Sequence, residues 1–314
     1  MNKTGDDLDQ LLATAQDWLD GGHRVAIATV IETWGSAPRR RGSHAIIRDD
    51  GHFAGSVSGG CVEGDVIVTA QELLKAGGSK RIDYGVADEA AWQVGLACGG
   101  RISVFVQPVD ADHYPPSLIG RIREERAAGR TVQVATDLES GRSAEGEGPA
   151  DAFQSSYPPP LRMMIVGAVH VARSLVPMAR TLGYAPLVVD PRGAFAASFA
   201  LDGIAVDERW SDEAFADWRP DAATAVVTLS HDPKIDDPAL AAALRSPAFY
   251  IAALGSRRTH AARIERLGNM GFEAFDLARI HGPAGLSIGA ANPPEIAVSI
   301  LAQATEQLRK SAAS

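Results

Sequence analysis

"LRMMIVGAVHVARSLVPMARTLGYAPLVVD", residues 161–190, decides the fold of the second half of this 314-residue chain. Its opening, "LRMMIVGA", reads as a buried strand, residues 170–182 as a helix, and "APLVVD" (185–190) as a second strand. Two more strands follow, "AATAVVTLS" (222–230) and "AFYIAALGS" (248–256), each succeeded by helical sequence. Strands and helices alternating at this length predict a Rossmann-like, doubly wound parallel sheet. The last long segment, "PPEIAVSILAQATEQLRK", has prolines suited to a first helical turn and a basic end that suits the helix dipole.

The first half follows a different pattern. Leu8, Leu11, Leu12, Ala15, Trp18 and Leu19 fall on one face of a helix. "RVAIATVIE" (24–32) and "HAIIR" (44–48) read as strands, and the "DDG" at 49–51 predicts a hairpin over residues 44–57. Val62, Val66, Thr69 and Leu73 recur at helical spacing up to the glycine pair 77–78. "RIDYGV" (81–86), "RISVFVQPV" (101–109) and "TVQVATDL" (131–138) are further strands. The expected fold is α/β: a mixed α+β domain over residues 1–138, a linker at 139–160 rich in Gly, Ser, Pro and acid, and a Rossmann-like domain over 161–314.

Composition narrows the function. A 46% hydrophobic, 22% charged chain is globular in character, and a net charge of −9 argues against a nucleic-acid surface. No apolar run approaches the roughly 20 residues that span a bilayer. The start, "MNKTGDDLDQ", is acidic where a signal peptide would be basic. Two cysteines, Cys61 and Cys98, cannot build a disulfide framework or a four-cysteine zinc site, so a reducing cytoplasm is the expected location.

Three loops are candidates for chemistry. In "SVSGGCVEGD" (56–65), a helix beginning near Gly60 would put Cys61 in its first turn, beside free N–H groups that favour a thiolate or a ligand phosphate. Gly59 and Gly60 would let the backbone approach such a ligand, while Glu63 and Asp65 oppose a second negative charge and also suit a helix start. Packing and chemistry both remain open for Cys61. "GLACGG" (95–100) places Cys98 in a similar setting, which a tight turn would also explain. "TWGSAPRRRGSHA" (33–45) brings Arg39, Arg40 and Arg41 between two strands; they read as solvated surface or as forks for phosphate oxygens.

"VIETWGSAPRRRGSHAII", "GSVSGGCVEGDV" and "GLACGGRISVFVQPV" resemble the N-terminal domain of the XdhC/CoxI family. "VVDPR", "LSHDPKIDDPAL", "YIAALGSRRTH" and "GPAGLSIGAANPPEIAVSILAQ" resemble that family's C-terminal Rossmann domain. The resemblance implies a maturation factor that binds the molybdenum cofactor, in molybdopterin or dinucleotide form, and protects it during sulfuration by a cysteine desulfurase. The factor then passes it to a xanthine dehydrogenase-type apo-enzyme. A homodimer is left open; nucleic acid and membrane are not expected partners. Soft thiolate ligation of molybdenum by Cys61 is the sharpest expectation that follows. The resemblance itself guarantees only that this cysteine belongs to the motif.

The family's Rossmann turn has a GxGH pattern, and here it reads "GAVHVA" (167–172). Val169 stands where a second glycine would admit a pyrophosphate. Gly167 and Asp190, the latter in the place of a ribose-binding acid, keep part of the fingerprint. Tight NAD(P) binding is therefore not expected. His170 opens the following helix, where it could cap, pack or meet a ligand. Gly255, Ser256 and Arg257 could hold a phosphate or simply cap a helix. His231 and Asp232 read equally as an acid–base pair or as a polar turn before Pro233. No catalytic triad is evident, and the resemblance implies a protein that acts by binding and handover ahead of catalysis. A nicotinamide-dependent oxidoreductase and a nucleotide-binding regulatory protein are the alternatives.

Overall fold

In the computed structural model the described residues are 7–35, 39–85, 100–200 and 203–311. They fall into two units, Asp7–Pro159 and the chain from Pro160 onward. The first unit runs α1 (Asp7–Asp20), β1 (Val25–Trp34), β2 (His44–Arg48), β3 (Phe53–Gly55), α2 (Glu63–Ala76), β4 (Lys80–Tyr84), β5 (Arg101–Pro108), α3 (Pro116–Ala127), β6 (Val132–Thr136), β7 (Ser143–Glu145) and β8 (Phe153–Tyr157). Five of its strands form an antiparallel sheet in the order β3-β2-β1-β5-β4, with the expected β2–β3 hairpin at one edge.

Strand β1 is apolar almost throughout because both of its faces are covered. Ala26, Ala28 and Val30 pack with Val66 and Ala70 of α2. Val25 and Ile27 turn the other way, towards Leu12 and Ala15 of α1 and Ile119 and Ile122 of α3. A register shift falls between Val30 and Glu32, and Ile31 packs in a separate small cluster with Phe105 and Phe153.

The stretch expected to be a linker at 139–160 is not one. It supplies β7 and β8, which pair on either side of β6 in a three-stranded antiparallel sheet. Phe153, Ser155 and Tyr157 are buried on one face of β8, while Gln154 and Ser156 are exposed on the other. Tyr157 is held twice: its ring stacks on buried His44 with centroids 5.3 Å apart, and its oxygen lies 3.3 Å from the Tyr114 hydroxyl. Burial takes the His44 imidazole down to about 4, so the stack holds a neutral ring at physiological pH.

The second unit runs β9 (Arg162–Val166), α4 (His170–Thr181), β10 (Ala185–Val189), α5 (Gly193–Ala200), β11 (Val206–Asp207), α6 (Ser211–Trp218), β12 (Thr224–Thr228), α7 (Pro233–Leu244), β13 (Tyr250–Ala253), α8 (Arg257–Asn269), α9 (Ala274–Leu277), β14 (Ile280–His281) and α10 (Pro293–Ser311). Its sheet is parallel, in the order β11-β10-β9-β12-β13-β14, with Ile165 opposite Val188. Counted from β9, that is the 3-2-1-4-5-6 order of a Rossmann fold. Met163 and Ile165 of β9 face a cluster that includes α4 and α10, whereas Met164 and Val166 face α6, α7 and α8. The chain reverses its winding between β9 and β12, where ligands commonly enter such sheets.

Candidate functional site

The 56–63 loop is built around a carboxylate, not around an open helix end. Helix α2 begins at Glu63 with Val62 as its N-cap, so Cys61 precedes the helix and does not lie in its first turn. The N–H groups of Val57, Ser58 and Gly59 reach Oε1 of Glu63 at 3.2, 2.9 and 3.1 Å, and that of Gly60 reaches Oε2 at 2.8 Å. The Ser56 hydroxyl donates to Oε1 at 2.7 Å and the Ser58 hydroxyl to Oε2. Positive φ angles at Gly59 (81°) and Gly60 (118°) turn these donors inward. Burial raises the proton affinity of Glu63, but bonds from Ser58, Ser56 and the backbone prevail and bring its pKa down to about 2.

The donors expected to be free for a thiolate or phosphate are thus already satisfied. Cys61 is an exposed free thiol on the outside of this loop. Its N–H, like that of Val62, donates to the Ser58 oxygen at 3.0 Å. Asp65 accepts from Tyr84 at 2.7 Å. Cys98 lies outside the described residues.

The arginine loop separates into two parts. Arg41 donates to the Ile31 carbonyl at 3.1 Å and lies 4.8 Å from the Phe153 ring centroid, on the wall of a hollow of about 540 Å³. Glu32 and Asp151 line the same hollow, which offsets the positive charge that a phosphate would need. Arg39 and Arg40 are exposed and make no ion pair among the described residues.

In the second unit, the turn after β9 is closed by packing. Gly167 has φ 112°, and a Cβ there would stand 2.7 Å from the Ser230 nitrogen. Asp190, fully buried, accepts from the Ala168 N–H at 2.7 Å, from the Arg192 N–H at 3.0 Å, and from the Arg192 guanidinium at 2.8 and 2.7 Å. Burial raises its proton affinity, but these bonds, led by Arg192, leave the carboxyl below its usual range. The acid is in the ribose-binding place in sequence, yet both its oxygens are committed within the chain. Val169 caps α4 in an extended conformation without a side-chain bond, and exposed His170 follows it. Both line an apolar cavity of about 360 Å³ with Arg173, Phe195, Ser198 and Phe199.

Two of the remaining candidates in this unit, Ser256 and Asp232, serve as helix caps. Ser256 accepts from the Thr259 N–H and caps α8, with Gly255 before it and exposed Arg257 after it. Asp232 caps α7 through the Lys234 N–H, and His231 is exposed with φ 63°. One group here escaped the sequence reading. Ser230 donates to Asp236 at 2.6 Å, and Asp236 lies 3.6 Å from Arg263, both charges being almost fully buried. The sequence signal was a serine at a strand end six residues before an acid. Arg263 also donates to the Leu254 carbonyl at 3.0 Å. Among the described residues no cluster of three or more His, Cys, Asp or Glu could hold a metal ion, and no helix is long and apolar enough to cross a membrane.

Comparisons with known proteins bear on both units. Residues 163–304 match the XdhC Rossmann domain and residues 18–85 match the XdhC and CoxI family. The molybdenum cofactor insertion chaperone PaoD of Escherichia coli (strain K12) is 28% identical over 95% of this chain and 88% of its own. A protein of Bacillus subtilis (strain 168) described as a probable xanthine dehydrogenase component is 24% identical over 91% of this chain and 93% of its own. A crystal structure described as a xanthine dehydrogenase from Bacillus halodurans superposes with a TM-score of 0.76 at 25% identity, covering 97% of this chain and 96% of that one. With both units matched by that family's own domains, the chain belongs to the XdhC/CoxI family.

Proposed function

We infer that the protein is a maturation factor for a molybdenum enzyme of the xanthine dehydrogenase type, binding the molybdenum cofactor as cargo and passing it to the apo-enzyme. The observation that carries the reading is Cys61, an exposed thiol on a loop whose backbone is fixed by hydrogen bonds. Free cysteines are among the most buried residue types, so packing does not account for this one. A soft sulfur suits a molybdenum centre. The exposed guanidiniums of Arg39 and Arg40 suit a phosphate tail. The similarity to PaoD supports the same reading.

What this asks of the protein is retention and release. Cys61 supplies the ligand while a cysteine desulfurase delivers sulfur to the held cofactor, and the whole takes place in the cytoplasm. The cofactor stays with the first unit, at residues 7–159, and the Rossmann unit binds NAD(P) weakly because Asp190 is already engaged. The test is Cys61→Ser, which keeps the size and replaces soft sulfur by hard oxygen. Expressed in a molybdenum-replete host, the variant should melt with the parent while losing most of its co-purified pterin and molybdenum. Unchanged cofactor content, with slow alkylation of Cys61 in the parent, would overturn the reading.

A further inference from the structure

The loop before α2 is an anion-binding nest that the chain fills itself. Six donors, from the Ser56 and Ser58 hydroxyls and from the N–H groups of residues 57–60, converge on the carboxylate of Glu63, a residue only 8% exposed. The Ser58 oxygen that donates to Glu63 also accepts from the N–H of Cys61 and of Val62. A single hydroxyl therefore links the carboxylate to the backbone that carries the thiol. Among the described residues no atom beyond the chain neighbours would lie within 4 Å of a Cβ at Gly60, so this glycine answers a demand for positive φ, which aims its N–H at Glu63.

We propose that Glu63 is the positioning residue for the Cys61 thiol: an internal anion that shapes the loop and keeps its N–H nest closed to the phosphate of the cargo. A phosphate entering the nest would have to expel a carboxylate bound by six donors. Asp65, in the same first turn of α2 and bonded to Tyr84, adds a second negative charge to this helix end, which further disfavours a phosphate there. Glu63 stays and the cargo phosphate is held elsewhere. This deepens the reading of Cys61 as the cofactor-facing thiol and rests on it for its functional consequence. The loop chemistry itself needs no cargo to be tested.

The experiment removes the internal anion and offers a small one in its place. In Glu63→Ala, hydrogen–deuterium exchange over residues 56–62 should accelerate about tenfold or more, because charge-assisted bonds that suppressed opening are gone. Sodium formate should restore protection saturably and return the pH profile of Cys61 alkylation, read by mass spectrometry of its peptide, to that of the parent. Neither formate nor inorganic phosphate should alter the loop in the parent. Glu63→Gln, which keeps the volume and still fills the nest, should loosen the loop without responding to formate; it also serves if the alanine variant folds poorly. Three results would overturn the proposal: unchanged exchange in both variants, no rescue of Glu63→Ala by formate, or a phosphate-dependent change in the parent loop. Should Cys61→Ser retain its cofactor, the functional reading fails while the exchange results still decide the role of Glu63 in the loop.

Discussion

Replacing Asp190 by asparagine should destabilise the Rossmann unit without acting on any ligand. The carboxylate is fully buried; Oδ1 accepts from the Arg192 N–H and Nε, and Oδ2 from the Ala168 N–H and Arg192 Nη2. Asparagine has one acceptor oxygen and one NH2. Whichever way the amide is turned, its NH2 faces two donors, so two bonds to a charged acceptor are lost and their donors left unpaired. Such bonds contribute about 1.5–3 kcal/mol each, and breaking a buried pair from one side costs about 3–5 kcal/mol. Arg192 retains some solvent, with 31% of its side chain exposed, which places the expected loss near the lower figure, about 3 kcal/mol. For a unit of this size that corresponds to roughly 6–12 °C in Tm. Differential scanning calorimetry of the full chain should show the shift in the transition of the second unit alone. A loss below about 1 kcal/mol, together with weakened dinucleotide binding, would mean that Asp190 is a ligand-binding acid after all.

Gly167→Ala should cost about 3 kcal/mol or more, because a Cβ would stand 2.7 Å from the Ser230 nitrogen in a backbone with φ 112°, combining overpacking with left-handed strain. Chemical denaturation measures it, and a loss under about 1 kcal/mol would show that the turn can relax. Glu63 sets an acid dependence of definite sign. Its folded pKa of about 2 lies below the ordinary value of 4.5, so its contribution is complete above pH 4.5 and is lost as pH falls towards 2. Parent and Glu63→Gln should differ by roughly 2 to 3 kcal/mol at neutral pH and converge near pH 2; a gap constant from pH 7 to pH 2 would refute the assignment.

The parallel half was readable in the sequence because its inner strands are buried on both faces and appear as unbroken apolar runs, as in Met163–Val166 and Ala225–Val227. Its edges were not. β11 and β14 are two residues long, too short for any period to show. β8 was obscured because its buried face includes Ser155, which leaves Phe153 and Tyr157 as the only apolar marks in "FQSSY". Helix α3 shows a narrow stripe of Leu118, Ile119 and Ile122 and then buries Arg126, a charge that disguises an inward position. At the site, position was legible and commitment was not. Glu63 stands where helix-start acids stand, and Asp190 where a ribose-binding acid stands, but no spacing reveals that Glu63 folds back over five preceding residues. Nor does it reveal that Arg192 turns two residues back to claim Asp190.

The anchoring of Tyr157 decides where this polypeptide can be divided. A fragment ending at residue 138 would take away both partners of β6, leave the His44 ring without its stack, and open the small cluster that Phe153 closes. The apolar and aromatic surface so uncovered, next to an unpaired strand edge, would favour self-association. Gene dissection, fusion of a reporter and circular permutation all have their natural joint at the prolines 158–160, after the last strand of the first unit is in place.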